Sequence, residues 1–371
     1  MKLNGKYNQD CKIFTNNIEE AALSTIQTIL DDEVSFGVPI RIMPDSHQGK
    51  DIVIGFTMPL TDRINPNHIG VDIGCSVSMV TIRKEDLTLP LDEIDSRIRG
   101  VIPMGFARNK EPFVFNSDNP NLNRWIEEKV SSICEKVGLD ERDVWCQIGS
   151  LGGGNHFIEL GEWARGYSFF VHTGSRNFGK RICEYHSKKA KSKGSNYLFG
   201  DDMNEYLDDI IVAQTFAYFN HSVIIERITD VLKVPRMVLW GKDYILCEHN
   251  YIGRDKIIRK GAISAHKHEF VLIPMNMRDG VILAKGKGNK DWNYSAPHGA
   301  GRIYSRSKAK KELSLDEFNS EMEGIFSTSV CKETLDESPM AYKPMEEILD
   351  AIGDTIEIID IIKPILNIKA I

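Results

Sequence analysis

Four short segments of this chain each place a metal-binding or nucleophilic side chain among glycines. They are residues 70–75 (GVDIGC), 152–157 (GGGNHF), 172–176 (HTGSR) and 298–302 (HGAGR). Carboxylate, thiolate and imidazole are the side chains that hold divalent transition metals. Glycines let the backbone approach a bulky anion and adopt positive φ. A fold that uses all four segments must bring distant parts of the chain into one pocket, which suggests an enzyme with a metal pair and a phosphate-handling reaction.

The rest of the chain mixes strand and helix patterns without a regular βαβ alternation. Runs rich in Ile and Val predict strands at 38–43, 52–60, 71–82, 167–171, 244–247, 270–273 and 281–284. Apolar residues at helical spacing predict helices at 18–30 (with Asn17 as N-cap), 124–137, 178–193, 203–232, 302–310, 315–326 and 345–352. Candidate site residues are scattered from Asp45 to the C-terminus, and the sequence has no Pro/Gly/Ser linker. We therefore expect an α+β protein with a single domain, residues 1–371, whose loops converge on one cleft.

Composition indicates where the protein works. The first residues include no apolar signal region, and no uninterrupted apolar run approaches about 18 residues. Seven cysteines, an odd number without a CxxC pair, indicate reduced thiols rather than a disulfide framework. We therefore expect a cytoplasmic protein that does not enter a membrane.

Charge indicates what the protein binds. The net charge of −7 repels nucleic acid as a whole, but binding follows local patches. Basic clusters lie at 188–193, 254–260, 285–290 and 302–311. The plain interpretation of any one cluster is a solvated helix face or loop. The last two lie on either side of His298, and this position favours a binding role for them.

Five residues form a candidate metal site. Asp72 and Cys75 are close enough in sequence to bind the same metal ion or two neighbouring ions. A thiolate can also bridge two metals. His156 follows three glycines, and His172 and His249 each follow a predicted strand. A lone free Cys is usually a small buried residue, and a lone strand-end His is usually structural. Their occurrence together favours a dinuclear site, with zinc preferred and iron or manganese as alternatives.

His298 has a different setting from the other histidines. Pro297 and Gly299 flank it, and Arg302 and Arg306 follow on a predicted helix face. A neutral imidazole near a helix N-terminus, where anions bind, is suited to attack phosphorus and to carry a phosphoryl or nucleotidyl group. The alternatives are a fourth metal-binding histidine and a phosphate-binding residue without covalent chemistry.

The remaining histidines are less informative. His47, within 43–47 (MPDSH), is interpreted as a further metal ligand or a proton carrier. Those without any such setting are interpreted as surface or structural residues: His68, His186, His221, His266 and His268. These residue types alone predict a dinuclear metal enzyme that acts on a phosphate ester.

The chain resembles the RtcB-type RNA-splicing ligases. The matching blocks are MPDSHQG (43–49), GVDIGCSV (70–77), GSLGGGNHFIE (149–159), VHTGSR (171–176), EHN (248–250), RKGA (259–262), VLIP (271–274) and HGAGRIYSRSKAK (298–310). Residues 341–343 (AYK) and 367–369 (NIK) also match family positions. The blocks keep the family order across nearly the whole chain, and this order is far more specific than any single block.

The resemblance implies a fold and a metal centre. The fold is an α+β single domain in which mixed β-sheets, surrounded by helices, enclose a deep metal and nucleotide cleft. The centre holds two Mn²⁺ ions bridged by Cys75. Asp72 and His156 complete one site, and His172 and His249 complete the other.

The resemblance also implies GTP chemistry at His298, which becomes guanylylated. Arg302 lies near the phosphate, and Asp45 matches a carboxylate needed for ligation. The implied nucleotide contacts are Asn155, Phe157, Glu159, Gly301, Tyr342 and Lys369. Of these, Tyr342 and Lys369 are expected to lie near the base. The guanylyl group passes to an RNA 3′-phosphate, produced by opening a 2′,3′-cyclic phosphate, and a 5′-hydroxyl then attacks while GMP departs. The partners implied are GTP and RNA with such ends, and we also consider an activating partner protein.

Three departures from the family pattern indicate a divergent, shorter branch. Residues 275–280 (MNMRDG) replace a Gly-Ser-rich run, Ser76 replaces a glycine after Cys75, and Asn177 follows Arg176. Serine contacts to the nucleotide are therefore not carried over. These features favour a dedicated repair ligase for one kind of broken RNA over a general tRNA-splicing enzyme.

Two other functions fit part of the pattern. A dinuclear metal phosphoesterase that opens cyclic phosphates without ligation would keep the metal ligands and would not depend on a covalent His298. A non-catalytic RNA-binding protein on the same scaffold needs no nucleophile, so the presence of His298 argues against it.

Overall fold

The strands of the protein run from the first residues almost to the C-terminus. A computed structural model describes residues 1–115, 119–234 and 244–371. The strands are β1 (Lys2–Leu3), β2 (Cys11–Ile13), β3 (Ile40–His47), β4 (Ile54–Pro59), β5 (Arg63–Ile64), β6 (Ser76–Ile82), β7 (Phe157–Trp163), β8 (Gly166–Thr173), β9 (Leu198–Phe199), β10 (Tyr244–Glu248), β11 (Asn250–Ile252), β12 (Ile257–Lys260), β13 (Ala262–Ser264), β14 (Phe270–Pro274), β15 (Val281–Gly286), β16 (Ser295–Pro297) and β17 (Ile356–Ile368).

Helices fill the intervals between groups of strands. They are α1 (Glu20–Leu30), α2 (Leu91–Val101), α3 (Pro120–Val137), α4 (Glu141–Trp145), α5 (Arg176–Ser192), α6 (Gly200–Leu232), α7 (Arg306–Glu312), α8 (Leu315–Glu321) and α9 (Met345–Ile352). Short 3₁₀ helices lie at Glu33–Ser35, Pro66–His68, Lys84–Asp86, Lys290–Trp292, Leu335–Glu337 and Pro339–Ala341. Within the described ranges, no helix has both the length and the apolar character needed to cross a membrane.

Two large sheets organise the strands. One has six strands in the order β1-β2-β3-β4-β12-β11, in which β2 and β3 are parallel and the other pairs are antiparallel. The other has seven antiparallel strands in the order β10-β6-β8-β7-β17-β15-β14. Mainly antiparallel sheets with helices outside regular βαβ units are typical of an α+β protein. The predicted α+β class is therefore confirmed.

The long helix α6 connects two apolar cores. Ile210 and Phe216 are buried in the core that includes α1, β3 and β4, whereas Ile224 and Ile228 are buried in the core between α2 and the seven-stranded sheet. The helix packs against α2, α5 and β8. Its buried residues recur at helical spacing, and this pattern is what made the helix predictable from sequence.

A buried amide on α6 holds two of the glycine segments. The Asn220 side-chain oxygen accepts hydrogen bonds from the backbone N–H groups of Gly149 at 2.7 Å and Ser150 at 3.1 Å. Its nitrogen donates to the carbonyl oxygen of Gly174 at 3.1 Å. One side chain therefore positions the turns that carry two of the candidate metal-binding histidines.

Strand β17 was not predicted from the sequence. Its polar residues interrupt the apolar ones without strict alternation, because the first half of the strand pairs with β15 and the second half pairs with β7. The register shifts between Pro364 and Leu366, where proline cannot donate a ladder hydrogen bond. The strand delivers Asn367 and the following Lys369 to the interior.

Two predicted boundaries near the N-terminus were wrong for local reasons. Helix α1 begins at Glu20, because the Asn17 side chain donates to the Glu347 carboxylate at 3.0 Å instead of capping the helix. Residues 71–75 form a turn before β6, and Gly74 within it has a φ of +72°.

Two predicted helices in the C-terminal third are shorter than expected. Helix α7 begins at Arg306, where the Ser305 hydroxyl accepts a hydrogen bond from the backbone N–H of Lys308 at 3.3 Å. Helix α8 ends at Glu321, and the chain then reaches Gly324 with a φ of +84°.

Candidate metal and nucleotide site

A buried thiol lies at the centre of the candidate metal site. Cys75 Sγ lies 3.4 Å from His156 Nε2 and 3.3 Å from His172 Nε2. Asp72 Oδ2, from the same turn, lies 3.0 Å from His156 Nε2. On the other side, His172 Nε2 lies 3.3 Å from His249 Nε2.

These contacts form two groups of potential metal ligands that share Cys75. One group is Asp72, Cys75 and His156, and the other is Cys75, His172 and His249. Within each group the ligand atoms all lie within 4.8 Å of one another. The structure thus brings together the five residues that were predicted as metal ligands, and it divides them as the resemblance implied.

The donor chemistry of the first group fits a divalent transition metal. His156 Nδ1 lies 2.9 Å from the carbonyl oxygen of Leu151, which can only accept, so Nδ1 carries a hydrogen. In the neutral ring, Nε2 then presents a lone pair to the Asp72 carboxylate and the Cys75 sulfur. Lone pairs at this separation repel unless a proton or a metal cation lies between them. Nitrogen, sulfur and oxygen donors of this kind suit such an ion.

The second group contains histidines in the form that binds metal. Burial lowers the pKa of His172 well below its usual value, and nearby His156 adds to the shift. Burial also lowers the pKa of His249, with His298 contributing. Because a histidine must be neutral to offer a lone pair, both rings are available as ligands at neutral pH.

The candidate nucleophile, His298, is held by a buried carboxylate. Its Nδ1 lies 2.7 Å from Asp45 Oδ2, and its backbone N–H donates to the same oxygen at 3.2 Å. Because an ionised carboxylate only accepts, Nδ1 carries the hydrogen and Nε2 keeps its lone pair. The His298 ring centre lies 4.9 Å from that of His249, next to the second metal group.

The helix after His298 begins four residues later than predicted, and its N-cap, Ser305, and its first residue, Arg306, line the same cleft as His298. His298 follows β16 directly, and α7 begins only at Arg306. The following turn contains Gly301, with a φ of +76°, and a Cβ at this position would lie 2.2 Å from the Asp45 carbonyl oxygen. Glycine therefore allows the turn to approach β3, so that the Asp45 carboxylate contacts the imidazole.

Lys343 fixes the end of β3 from the other side. Its buried ammonium group donates to the carbonyl oxygens of Asn17 at 2.9 Å and Pro44 at 3.0 Å. Its backbone N–H donates to the Gly301 carbonyl oxygen at 3.0 Å. The strand residue before Asp45 and the turn after His298 are thereby held together.

A second buried carboxylate, Glu159 in β7, lines the cleft. Asn367 donates to its Oε2 at 2.8 Å, whereas Oε1 has no hydrogen-bond partner among the described residues. Burial raises the pKa of Glu159 to about 8, although Asn367 and Lys369 act in the opposite direction. A buried carboxyl group with an unpaired oxygen is suited to bind the hydrogen-bond donors of a ligand, and such donors favour its ionised form.

Glu337, which the sequence analysis missed, joins several predicted nucleotide contacts. Its carboxylate accepts from the Tyr342 hydroxyl at 2.7 Å and from Lys369 Nζ at 3.1 Å, and it pairs with Arg302 and Arg306. Burial opposes its ionisation, but Lys369, Arg306 and Arg302 outweigh this effect and lower the pKa of Glu337. No sequence signal distinguishes it, because it lies in an acidic run that resembles a surface turn.

Arg302 was predicted to begin a helix, but it lies before α7 and is anchored by its guanidinium group. It forms an isolated β-bridge with Tyr342. Its side chain donates to the carbonyl oxygens of Tyr304 at 3.1 Å and Asp336 at 2.5 Å. The guanidinium is therefore held in one position at the cleft wall.

Lys369 borders the glycine loop that carries Asn155. Its Nζ donates to the carbonyl oxygen of Gly154 at 3.3 Å and lies 5.5 Å from the centre of the Phe157 ring. The three predicted nucleotide contacts Asn155, Phe157 and Lys369 are therefore neighbours.

His47 belongs to neither metal group. Its Nδ1 lies 3.0 Å from the Asp45 carbonyl oxygen, and burial lowers its pKa to about 4. The neutral ring lines the cleft. A role in proton transfer stays a prediction.

The histidines interpreted as structural or surface residues divide by burial. The buried ones are His68, His186 and His221, and the more exposed ones are His266 and His268. His186 forms a third group of potential ligands with Glu205 and Asp209. Lys136 donates to both carboxylates, at 2.9 Å and 2.6 Å, so these charges already have a cation between them.

The metal groups, His298 and the nucleotide contacts open onto one cleft of about 690 Å³. Of the predicted site residues, Asp45 and His156 lie behind its wall. The others line it: Asp72, Cys75, Asn155, Phe157, Glu159, His172, His249, His298, Gly301, Arg302, Tyr342 and Lys369. A cleft of this size accommodates a nucleotide.

Comparison with known proteins identifies the family. A family described as "RtcB: tRNA-splicing ligase RtcB" matches residues 34–370. The chain belongs to the RtcB family. It is 28% identical to RNA-splicing ligase RtcB of Escherichia coli K12, with 98% of each chain covered. It is 23% identical to tRNA-splicing ligase RtcB of Pyrobaculum aerophilum, with 84% of this chain and 83% of the relative covered.

Two departures from the RtcB pattern lie close to the site. Ser76, in place of a glycine, has its hydroxyl 2.9 Å from His221 Nε2 and therefore satisfies a buried imidazole. Met275, Asn276 and Met277, in place of a Gly-Ser-rich run, line the cleft. The second departure places two methionine side chains and an amide in the wall of the cleft.

Proposed function

We propose that this RtcB-family protein is an RNA ligase that uses Mn²⁺ and GTP to join RNA 3′-phosphate or 2′,3′-cyclic phosphate ends to 5′-hydroxyl ends. The observation that carries the proposal is the pairing of His298 with Asp45 beside two ligand groups that share Cys75. A metal phosphoesterase needs the ligand groups but needs no oriented nucleophile beside them. The names of the relatives, which are RNA-splicing and tRNA-splicing ligases, support the same activity.

Two Mn²⁺ ions are proposed to bind here: Asp72, Cys75 and His156 would hold one, and Cys75, His172 and His249 would hold the other. When bound, they polarise phosphate oxygens and stabilise the negative charge that develops during transfer. Cys75 keeps the two groups at a fixed separation, because it contacts His156 on one side and His172 on the other.

His298 is proposed to be the nucleophile of the first step. Its Nε2 attacks the α-phosphorus of GTP, an N–P bond forms, the P–O bond to the leaving group breaks, and pyrophosphate departs. Asp45 keeps the hydrogen on Nδ1 and stabilises the positive charge that the ring acquires. Arg302 is proposed to contact the phosphate from the cleft wall.

Guanine is the base that the cleft is proposed to select. Guanine presents N1–H and N2–H as adjacent donors, and Glu159 offers an oxygen that no described residue pairs. Adenine has an acceptor at N1 and lacks this donor pair. Tyr342 and Lys369 are proposed to contact the base, and the further nucleotide contacts are proposed to be Asn155, Phe157 and Gly301.

The RNA steps use the guanylylated histidine. Water opens a 2′,3′-cyclic phosphate to a 3′-phosphate, whose oxygen then attacks the phosphorus on His298 and releases the imidazole. A 5′-hydroxyl attacks the activated 3′-phosphorus, the phosphodiester forms, and GMP leaves. We propose repair of one kind of broken RNA in the cytoplasm as the setting.

Residues 1–371 are proposed to act as one domain. Asp45 comes from the six-stranded sheet, His172 comes from the seven-stranded sheet, and His298 follows a strand of neither. The chemistry needs the three together, so separation of the sheets would divide the site.

The decisive experiment is covalent labelling. Wild-type protein is incubated with α-labelled GTP and Mn²⁺ and run on a denaturing gel beside His298→Ala and the control His266→Ala. We expect label on the wild type and the control and none on His298→Ala. Metal-loaded wild-type protein that takes label from no nucleotide would contradict the ligase mechanism and favour the phosphoesterase.

A further inference from the structure

A fully exposed aromatic side chain projects from the loop 105–110 (GFARNK). Phe106 has a relative exposure of 109%, whereas the other phenylalanines are at least partly covered. An exposed large apolar side chain is a common feature of protein surfaces, and only its setting gives it meaning.

The first part of this loop is fastened to the glycine segments of the site. Gly105 donates its backbone N–H to the Gly152 carbonyl oxygen at 2.9 Å. Arg176 donates to the Gly105 carbonyl oxygen at 2.8 Å. Phe106 is therefore held outward by anchored backbone.

The second part of the loop is fastened by an inward side chain. The Asn109 amide nitrogen donates to the carbonyl oxygens of Cys146 at 3.0 Å and Ile148 at 2.7 Å. Its oxygen accepts from Arg227 at 2.9 Å. With Asn109 turned inward, the loop presents Phe106, Arg108 and Lys110 to solvent.

The loop begins beside a glycine segment that borders the cleft. A Cβ built on Gly153 would lie 3.6 Å from the Gly105 Cα, and one built on Gly154 would lie 3.2 Å from Arg306 Nη2. Asn155, the next residue, lines the cleft together with Arg306. The loop that carries Phe106 and two basic side chains therefore begins next to the glycine segment that borders the cleft.

We propose that the loop 105–110 is a binding subsite for single-stranded RNA that leads into the cleft. Phe106 stacks on a base next to the reacting end, and Arg108 and Lys110 contact backbone phosphates. Aromatic stacking combined with basic side chains is how proteins hold single strands without reading their sequence, because every base has a flat face. The inference rests on the proposed function, which supplies RNA as the substrate.

RNA is favoured over a protein partner by the chemistry of the loop. A protein interface needs a wider apolar patch, whereas here a single ring is followed along the loop by two cationic side chains. Arg108 pairs with Asp143 at 2.8 Å in an exposed position, where such a pair is weak and readily exchanged for a phosphate.

The test measures binding of fluorescent single-stranded RNA oligonucleotides to metal-loaded full-length protein by anisotropy. One oligonucleotide carries a 3′-phosphate and another a 5′-hydroxyl, and the variants are Phe106→Ala, Phe106→Leu and Phe106→Trp. We expect about tenfold weaker binding for the Ala and Leu variants and retained binding for Trp, with at least one oligonucleotide. The Trp variant should also lose fluorescence when RNA stacks on it.

The outcomes separate this inference from the proposed function. Equal RNA affinity for all variants, with normal GTP labelling of His298, would overturn the stacking site alone. Weak binding by Ala but full binding by Leu would show an apolar contact without stacking and would also overturn it. Absence of GTP labelling in the wild type contradicts the ligase mechanism, while RNA binding that depends on Phe106 would still support the subsite.

Discussion

Asp45 holds His298 through a single oxygen, because Oδ2 contacts both the ring Nδ1 at 2.7 Å and the backbone N–H at 3.2 Å. One contact orients the ring, and the other places the backbone that carries it. The other oxygen, Oδ1, is buried and has no hydrogen-bond partner among the described residues. Asp45 therefore serves the histidine directly, and replacing its charge should affect the chemistry more than the fold.

Asp45→Asn should slow labelling by α-labelled GTP by about 100-fold or more, since the amide cannot stabilise the positive ring and permits the wrong tautomer. Single-turnover labelling measures the rate, and circular dichroism checks the fold. Asp51→Asn, an exposed neighbour, is the matched control. A labelling rate within about twofold of wild type would contradict the role of Asp45.

Cys75→Ala should reduce bound metal below one ion per chain, because both ligand groups lose a member. His249→Ala should remove about one ion and leave the group of Asp72, Cys75 and His156 in place. Elemental analysis of protein dialysed against Mn²⁺ gives the count, with Cys331→Ala as control. Equal losses in Cys75→Ala and His249→Ala would argue against a shared thiolate.

Glu159→Gln should weaken the preference for GTP over ATP by about tenfold or more, because the variant loses an acceptor that matches the two donors of guanine. Competition between labelled GTP and unlabelled nucleotides measures the preference. Inosine triphosphate, which lacks the N2 amine, should compete less well than GTP in wild-type protein. Unchanged selectivity in Glu159→Gln would place guanine recognition elsewhere.

The buried Glu159 should also make stability depend on pH. Its pKa is about 8 in the folded protein, against about 4.3 in an unfolded chain. The folded state binds more protons between these values, so the stability that Glu159 contributes falls as pH rises from about 4.3 to 8. The melting temperature of wild type should therefore drop more between pH 5 and pH 9 than that of Glu159→Gln. Parallel curves would contradict the raised pKa.

Glu337→Gln should destabilise the protein by about 3 kcal/mol at pH 7, because it leaves buried cations without their counter-charge. The pKa of Glu337 is lowered in the folded state, so its contribution is full above the unfolded value of about 4.3 and is lost as pH falls through the folded value. Urea unfolding at pH 7 and at lower pH measures both effects. Glu333→Gln, nearby and exposed, should change little.

The parts of the fold that carry a strong local pattern were predictable. Helix α6 shows buried residues at helical spacing, and α9 was predicted with its observed bounds, 345–352. Strand β17 and helix α2 were missed. The first pairs with two partners and does not alternate, and the second is short and mainly polar. Tertiary pairing, rather than local preference, decides such elements.

The part of the candidate site that depends on residue type was predictable from the sequence. Cys, His and Asp among glycines indicated a metal site, and the structure places those residues in two groups around Cys75. Glu337 could not be recognised in this way, because acidic residues are common in surface turns. It becomes important only because Arg302, Tyr342 and Lys369 converge on it.

The sequence by itself determined the types of the candidate metal ligands, the candidate nucleophile and the order of motifs that identifies the family. Those properties reside in individual side chains and in their spacing along the chain. The tertiary structure alone decided that Asp45 contacts His298, that two groups of potential ligands share Cys75, and that the loop of Phe106 begins beside the glycine segment 152–157. Contacts between residues far apart in the chain depend on how sheets and helices pack, and no local pattern encodes that packing.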